Sequence, residues 1–175
     1  NIASRKAKVN GIYMNQNHND IYLQNKDDVV LKEYLQKYPP QAKIVSFSLE
    51  QEADCMIKND AIYYQGQHII NLDDIKIVGR HNIQNMMIAI CACIHSGIDV
   101  QSIHDTLAAF TGVEHRIEFV REYQGVKYYN DSKATNTDAA IIALKSFEKP
   151  VILLMGGHEK GLDLREKIGR ASCRE

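Results

Sequence analysis

The polar stretch at residues 129–136, Tyr-Asn-Asp-Ser-Lys-Ala-Thr-Asn, constrains the fold more than any other segment. An alternating apolar segment precedes it at residues 126–129, and a helix-like run follows it at residues 137–147. Open α/β sheets place ligands at such junctions, because carboxyl ends of strands and amino ends of helices converge there. The stretch therefore predicts a phosphate or anion site. The spacing is equally consistent with an ordinary loop in which Asn136 or Thr137 caps the helix.

The composition is that of an ordinary soluble globular chain. The 175 residues are 45% hydrophobic and 25% charged, with a formal net charge of −1. This charge, without a basic patch, gives no reason to expect nucleic acid. The longest apolar run, residues 86–94, is too short to span a bilayer and no signal peptide is present, so we expect a cytoplasmic protein. The four cysteines form no Cys-x-x-Cys pair, which favours reduced structural thiols over a metal site.

Apolar periodicity and turn residues predict the elements of the first half. A helix that Pro39 and Pro40 terminate lies between two strands, and a small antiparallel meander with turns at Asn59-Asp60 and Gly66 follows. The strand, helix and strand are predicted at residues 21–23, 28–38 and 43–48, and the strands of the meander at residues 55–58, 61–65 and 67–70.

Two helices are predicted next. The run at residues 86–96 is apolar nearly all round, so a helix there must be buried. Gly97 is suited to its C′ position, and Asp99 to the cap of an amphipathic helix at residues 100–110.

Two asparagines stand at the start of the first of these helices. Asn82 and Asn85 are three residues apart, so they lie on one face of the first turn. There their carboxamides can offer the donor and acceptor pair that a purine edge requires. The alternative is that Asn82 caps the helix and Asn85 is solvated.

The pattern changes at residues 112–115, where we place a domain boundary. A hairpin is predicted at residues 117–130, and the helix at residues 137–147 follows. Residues 151–155 are continuously apolar, as in a buried parallel strand. Strand, helix and strand, followed by a glycine turn at residues 156–161, predict the start of a doubly wound fold.

Four motifs together resemble the Mur ligases. The second and third are specific to the branch of the family that adds D-glutamate, whereas the first is shared across several Mur ligases. The resemblance covers residues 6–164. The motifs are Gly-Arg-His-Asn-Ile-Gln-Asn at residues 79–85, Gly-Val-Glu-His-Arg-Ile-Glu at residues 112–118, the polar stretch at residues 129–136, and Gly-Gly-His-Glu-Lys-Gly at residues 156–161.

The resemblance implies an α/β ligase of peptidoglycan synthesis that uses ATP and Mg²⁺ to join D-glutamate to UDP-N-acetylmuramoyl-L-alanine through an acyl phosphate. Residues 1–111 then form the C-terminal part of a central ATP-binding domain. Residues 112–167 form the first part of a Rossmann-like C-terminal domain. Residues 168–175 depart from the family and match a translated sequencing adapter, so we expect a non-native tail.

The same resemblance predicts a monomer without nucleic-acid or membrane partners. The family's phosphate loop would precede the first residue, and no G-x-x-x-x-G-K-[ST] sequence occurs in the chain. We therefore expect no ligation by these 175 residues alone.

The resemblance also assigns roles to single residues. The positions that match ATP contacts are Asn82, Asn85, Arg116 and Asp131. The positions that match catalytic residues around the substrate and the reacting carboxylates are Lys133, Thr135 and His115. The positions that match D-glutamate contacts are Lys160 and Ser132. Lys6, with Lys8 as its alternative, matches a carbamylated lysine that holds the metal, although both are equally consistent with solvated helix lysines.

Two other functions remain open from the sequence. The chain is also compatible with a folylpolyglutamate synthase or another member of the superfamily, which a test of the complete gene with UDP-N-acetylmuramoyl-L-alanine would separate. It is also compatible with a nucleotide-binding module without catalysis. A phosphate loop in the upstream reading frame would favour an enzyme over such a module.

Overall fold

The structure is a computed structural model that describes residues 11–147 and 149–156. The chain forms two compact units. The first contains Asn1–Ile75 and Ile83–Ala109, and the second contains Lys76–Asn82 and Phe110–Glu175.

The first unit is built on a mixed five-stranded sheet in the order β1-β2-β3-β4-β5. The first three strands are parallel, and β3, β4 and β5 are antiparallel neighbours. Helix α1 (Val29–Lys37) forms the crossover from β1 to β2, as parallel pairing requires. The strands are β1 (Ile21–Asn25), β2 (Lys43–Ser48), β3 (Cys55–Lys58), β4 (Ala61–Tyr64) and β5 (Gln67–Asn71).

Local sequence explains the boundaries of α1 and of the meander. The Asp28 carboxylate caps α1 by accepting a 3.1 Å hydrogen bond from the Leu31 amide. Asn59 and Asp60 both have positive φ, of 48° and 55°, as a two-residue hairpin turn demands. Gln65 and Gly66 do the same between β4 and β5. The predicted meander is therefore confirmed.

Helices α2 (Arg80–His95) and α3 (Val100–Ala109) follow a short 3₁₀ turn at Leu72–Asp74. The expectation that α2 is buried all round is wrong. One face is buried, whereas Ile88, Ala89 and Ala92 are exposed. The buried residues recur at helical spacing and so lie on one face of the helix. Because the run is apolar on nearly every side, its composition alone could not show which face is buried. The buried residues are Met86, Met87, Ile90 and Cys91.

The ends of these helices follow the sequence closely. Gly97 has φ +82°, and the Ile98 amide reaches back to the Cys93 carbonyl at 3.0 Å, so Gly97 is the C′ residue of α2 as predicted. Asp99 accepts a 2.9 Å hydrogen bond from the Ser102 amide and caps α3, also as predicted.

The described part of the second unit is a hairpin followed by a helix. Strands β6 (Glu118–Tyr123) and β7 (Val126–Asn130) are antiparallel and joined at Gln124 and Gly125, whose φ values are 50° and 77°. Helix α4 (Thr137–Lys145) begins after Asn136, whose side chain accepts a 2.8 Å hydrogen bond from the Ala139 amide. The predicted hairpin and the capping role of Asn136 are confirmed.

One predicted strand is absent from the described residues. Residues 151–155 form no strand, and Ile152 and Leu154 are 89% and 92% exposed. A buried parallel strand needs a neighbouring strand to pair with and cover on its faces. Among the described residues of this unit, β6 and β7 pair only with each other, and neither pairs with residues 151–155. The glycine turn beyond Gly156 lies outside the described residues.

Candidate functional site

Two loops of the second unit are joined by hydrogen bonds, and they carry the two specific motifs. The Lys133 amide donates to the His115 carbonyl at 2.9 Å. The Ile117 amide donates to Asp131 Oδ1 at 3.1 Å. Asn130 Nδ2 lies 2.9 Å from His115 Nδ1. The fold thus brings His115 and Arg116 together with Asp131 and Lys133, four of the residues predicted to form the site.

The backbone on either side of Arg116 is strained. His115 has φ +65° and Ile117 has φ +46°, both in the left-handed region. Each costs about 1 kcal/mol or more, and a β-branched residue is a true outlier there. Such strain persists only where surrounding contacts hold it, and it concentrates at functional sites. Here the contacts come from the polar stretch, and they present the exposed Arg116 side chain.

Hydrogen bonds within the polar stretch satisfy several of its own backbone groups, and several of its side chains are exposed to solvent. Asn130 Oδ1 accepts from the Ser132 amide at 3.1 Å, and the Thr135 amide donates to the Lys133 carbonyl at 2.9 Å. The side chains of Ser132, Lys133 and Thr135 are exposed. Capping of α4 by Asn136 therefore does not occupy the three residues that a ligand would use.

The two asparagines of α2 differ in their surroundings. Asn82 is half-buried, and its Nδ2 donates to the Val78 carbonyl at 2.7 Å. The Asn82 side chain therefore bonds to a carbonyl four residues earlier. It does not cap α2 by accepting from an amide of the first turn, which was the alternative predicted from the sequence. Asn85 is exposed. Asn82 belongs to the second unit and Asn85 to the first.

His81 was given no role from the sequence, and the structure places it close to the joined loops. Burial, reinforced by the Arg116 charge and opposed by Asp131, holds the pKa of His81 below its ordinary value. Its Nε2 is buried and has no hydrogen-bond partner among the described residues. Its place directly before Asn82 in the first motif was the only sequence signal available.

Gly79 packs closely against His81. A Cβ at Gly79 would lie 2.8 Å from His81 Cε1 and 2.5 Å from Ser146 Oγ, and Gly79 has φ +101°. Only glycine satisfies both the backbone conformation and this close approach. The glycine of the first motif is therefore a packing requirement of the second unit.

Three predicted site residues lie outside the described part of the chain: Lys6, its alternative Lys8, and Lys160. Among the residues that the structure does describe, no group of three or more His, Cys, Asp or Glu side chains could hold a metal ion. In the same residues, every helix is too short or too polar to cross a membrane.

Comparison with known proteins identifies the family. A family model described as Mur ligase middle domain matches residues 1–93 of the chain. The chain belongs to the Mur ligase family. The resemblance inferred from the four motifs is thereby confirmed.

Named relatives of this Mur ligase chain include UDP-N-acetylmuramoylalanine--D-glutamate ligases of Staphylococcus haemolyticus (strain JCSC1435) and Staphylococcus aureus (strain JH9). Each is 40% identical over 158 residues, which cover 90% of this chain and 34% of the relative. The chain therefore spans about a third of the length of these curated relatives.

Solved structures of Mur ligases share the fold. A UDP-N-acetylmuramoyl-L-alanyl-D-glutamate--2,6-diaminopimelate ligase aligns with a TM-score of 0.51 and 25% identity, over 73% of this chain and 28% of that one. MurF from Acinetobacter baumannii aligns with a TM-score of 0.63 and 16% identity, over 77% of this chain and 30% of that one. The second likeness concerns the fold alone. The expected α/β architecture of a Mur ligase central domain is confirmed.

Proposed function

We propose that this chain is part of a ligase that uses ATP to join D-glutamate to UDP-N-acetylmuramoyl-L-alanine in peptidoglycan synthesis. The observation that carries the proposal is 40% identity over 90% of the chain to relatives named as that ligase. The hydrogen bonds between the two specific motifs support it. We also propose that the protein is a cytoplasmic monomer, as the resemblance to the family implies. Its near-neutral charge gives no reason to expect nucleic acid or an anionic membrane surface as a partner.

The proposed division of the chain rests on the resemblance of its four motifs to the family. Residues 1–111 belong to the central ATP-binding domain, and residues 112–167 begin the C-terminal Rossmann-like domain. Residues 168–175 are a non-native tail. Limited proteolysis of the complete protein, with the fragments identified by mass, tests this division: cleavage should concentrate near residues 110–115.

In the proposed reaction, the substrate carboxylate takes the γ-phosphoryl group of ATP and releases ADP, which gives an acyl phosphate. The amine of D-glutamate then forms the amide by displacing inorganic phosphate and losing a proton. Every step gathers negative charge on oxygens, so positioned cations and donors are what the chain must supply. Lys133 and Arg116 are the cations that the joined loops contribute. Thr135 and His115 add further hydrogen-bond donors.

Binding of the nucleotide is assigned to residues of suited chemistry. Asn82 and Asn85 offer carboxamides to the purine, and the Arg116 guanidinium can donate two parallel hydrogen bonds to anionic oxygens. Asp131 accepts from ribose hydroxyls through the carboxylate oxygen that Ile117 does not use. For D-glutamate, Lys160 supplies the cation that binds a carboxylate, and Ser132 supplies a hydroxyl.

Mg²⁺ is proposed to bind through a carbamylated Lys6, or through Lys8 in its place. The described residues do not fit this ion by themselves, because no cluster of acidic, histidine or cysteine side chains is present among them. No step of the reaction is therefore assigned to the metal here.

The complete protein containing this chain provides the test. We would incubate it with ATP, Mg²⁺ and either UDP-N-acetylmuramoyl-L-alanine or a folate, adding D-glutamate, L-glutamate or a diamino acid in separate reactions, and detect products by mass spectrometry. A product and equimolar phosphate are expected with D-glutamate alone. Glutamylation of a folate instead would establish the folylpolyglutamate alternative, and absence of any ATP-dependent product would indicate a binding module.

A further inference from the structure

His115 is held by polar groups that the proposed function leaves without a role. Glu118 Oε2 accepts a 2.8 Å hydrogen bond from the His115 amide and lies 3.6 Å from His115 Nδ1. It also accepts a 3.4 Å hydrogen bond from Asn130 Nδ2. The same Nδ2 lies 2.9 Å from His115 Nδ1. One carboxylate and one carboxamide therefore surround a single edge of the imidazole.

The orientation of the Asn130 amide is fixed independently of the histidine. Its Oδ1 accepts a 3.1 Å hydrogen bond from the Ser132 amide, so the NH₂ group must be the end that faces His115. An NH₂ group only donates, and Nδ1 must therefore accept. A neutral imidazole that accepts at Nδ1 carries its proton on Nε2.

We propose that Asn130 is a positioning residue that holds His115 as the Nε2–H tautomer, so that the histidine donates a hydrogen bond to an oxygen of the bound ligand. Glu118 assists by holding the His115 amide in its left-handed conformation. The His115 side chain is 58% exposed, and the edge that Asn130 and Glu118 occupy is the Nδ1 edge.

The chemical consequence rests on the proposed function. A histidine with its proton on Nε2 cannot accept a proton at that atom, so His115 stabilises negative oxygen on the ligand and does not act there as a base. Acyl phosphates and tetrahedral intermediates both present such oxygens.

Nitrogen NMR of the complete protein tests the tautomer directly. Protein labelled with ¹⁵N-histidine would be observed at about pH 8, above the ordinary imidazole range, with the His115 signals assigned by their loss in His115→Gln. Wild type should show a protonated Nε2. Asn130→Ala should move the proton towards Nδ1, because the Glu118 carboxylate is then the nearest acceptor at that edge.

Asn130→Asp is a second variant in case the alanine variant does not fold, and the same shift is expected because a carboxylate only accepts. Glu122→Ala, which removes an exposed acid from β6, the strand that carries Glu118, is the control and should leave the spectrum unchanged. A wild-type ring with its proton on Nδ1, or an unaltered tautomer in a folded Asn130 variant, would overturn the inference.

Kinetics separate this inference from the proposed function. In a wild-type protein that ligates D-glutamate, Asn130→Ala should lower kcat by roughly tenfold and change KM for ATP by less than about twofold, since the donor acts on developing charge. If the wild type forms no product, the proposed function fails, whereas the NMR result still decides the tautomer.

Discussion

Asp131 holds Ile117 in place through a 3.1 Å hydrogen bond from the main-chain amide of Ile117 to Oδ1 of the carboxylate. Ile117 is in the left-handed region, and the residue before it is Arg116. The carboxylate predicted to bind ribose therefore also shapes the loop that presents a predicted nucleotide-binding cation. Loss of the nucleotide by an Asp131 variant thus has two separable causes.

Asp131→Ala and Asp131→Asn should separate loss of the ribose contact from loss of the hydrogen bond that holds the Ile117 loop. Alanine removes the acceptor, so amide exchange of peptides containing Ile117 should accelerate by roughly tenfold, as expected for a lost hydrogen bond to a charged group. Asparagine keeps an oxygen at Oδ1 and should preserve slow exchange. Hydrogen exchange with mass spectrometry measures both variants, and equal rates in Asp131→Ala and wild type would show that the contact does not hold the loop.

Lys133→Ala should reduce kcat/KM for ligation by about 100-fold, because one positioned cation near the transferred phosphoryl group is lost. Lys127→Ala is the matched control, since Lys127 is an exposed lysine on the neighbouring strand β7. Steady-state phosphate release by the complete protein measures both. Similar values for the two variants would remove Lys133 from the catalytic set.

Acid should destabilise the second unit through His81. Burial and the Arg116 charge lower the pKa of His81 in the fold, while Asp131 partly opposes them. As pH falls through the ordinary imidazole pKa of about 6.5, the unfolded chain therefore binds a proton that the folded chain resists. Stability present at neutral pH is lost below that value.

His81→Gln should weaken that dependence. Thermal unfolding of wild type and variant between about pH 7.5 and pH 5 measures it, because the imidazole is the only titrating group that differs between the two proteins. Parallel curves for the two proteins would exclude His81 as a source of the acid sensitivity.

Gly79→Ala should cost roughly 2–4 kcal/mol, combining positive-φ strain with a collision against His81 and Ser146. Gly66→Ala is the control, since Gly66 has φ +84° and no atom within 4 Å of an added Cβ. It should cost roughly 1 kcal/mol from strain alone. Thermal melts of both variants give the comparison. If the Gly79→Ala protein is no less stable than Gly66→Ala, the side chains of His81 and Ser146 can move aside at little cost.

Elements with a local cause were predictable from the sequence. Strand β2 has the predicted bounds, and the caps at Asp99 and Asn136 form because a side-chain oxygen reaches an amide three residues later. The family was also accessible, because its motifs are contiguous in the chain.

Features that depend on distant partners were not predictable. Residues 151–155 have the composition of a buried strand, but only a neighbouring strand can turn such a run into one. Gly79 lies against both His81 and Ser146, and no periodicity connects those positions. The hydrogen bonds between the loops at His115 and Asp131 join residues far enough apart that only the folded chain reveals them. The ligand roles of the site residues remain predictions.

The two tight turns at Asn59-Asp60 and Gln65-Gly66 have a consequence for how the first unit acquires its structure. Because the turns are short, pairing of β3, β4 and β5 costs little loop-closure entropy. Pairing of β1 with β2 costs more, because the helical crossover between them must be closed first. We expect the folding nucleus to form in the meander, so that substitutions there slow refolding while substitutions in β1 chiefly accelerate unfolding.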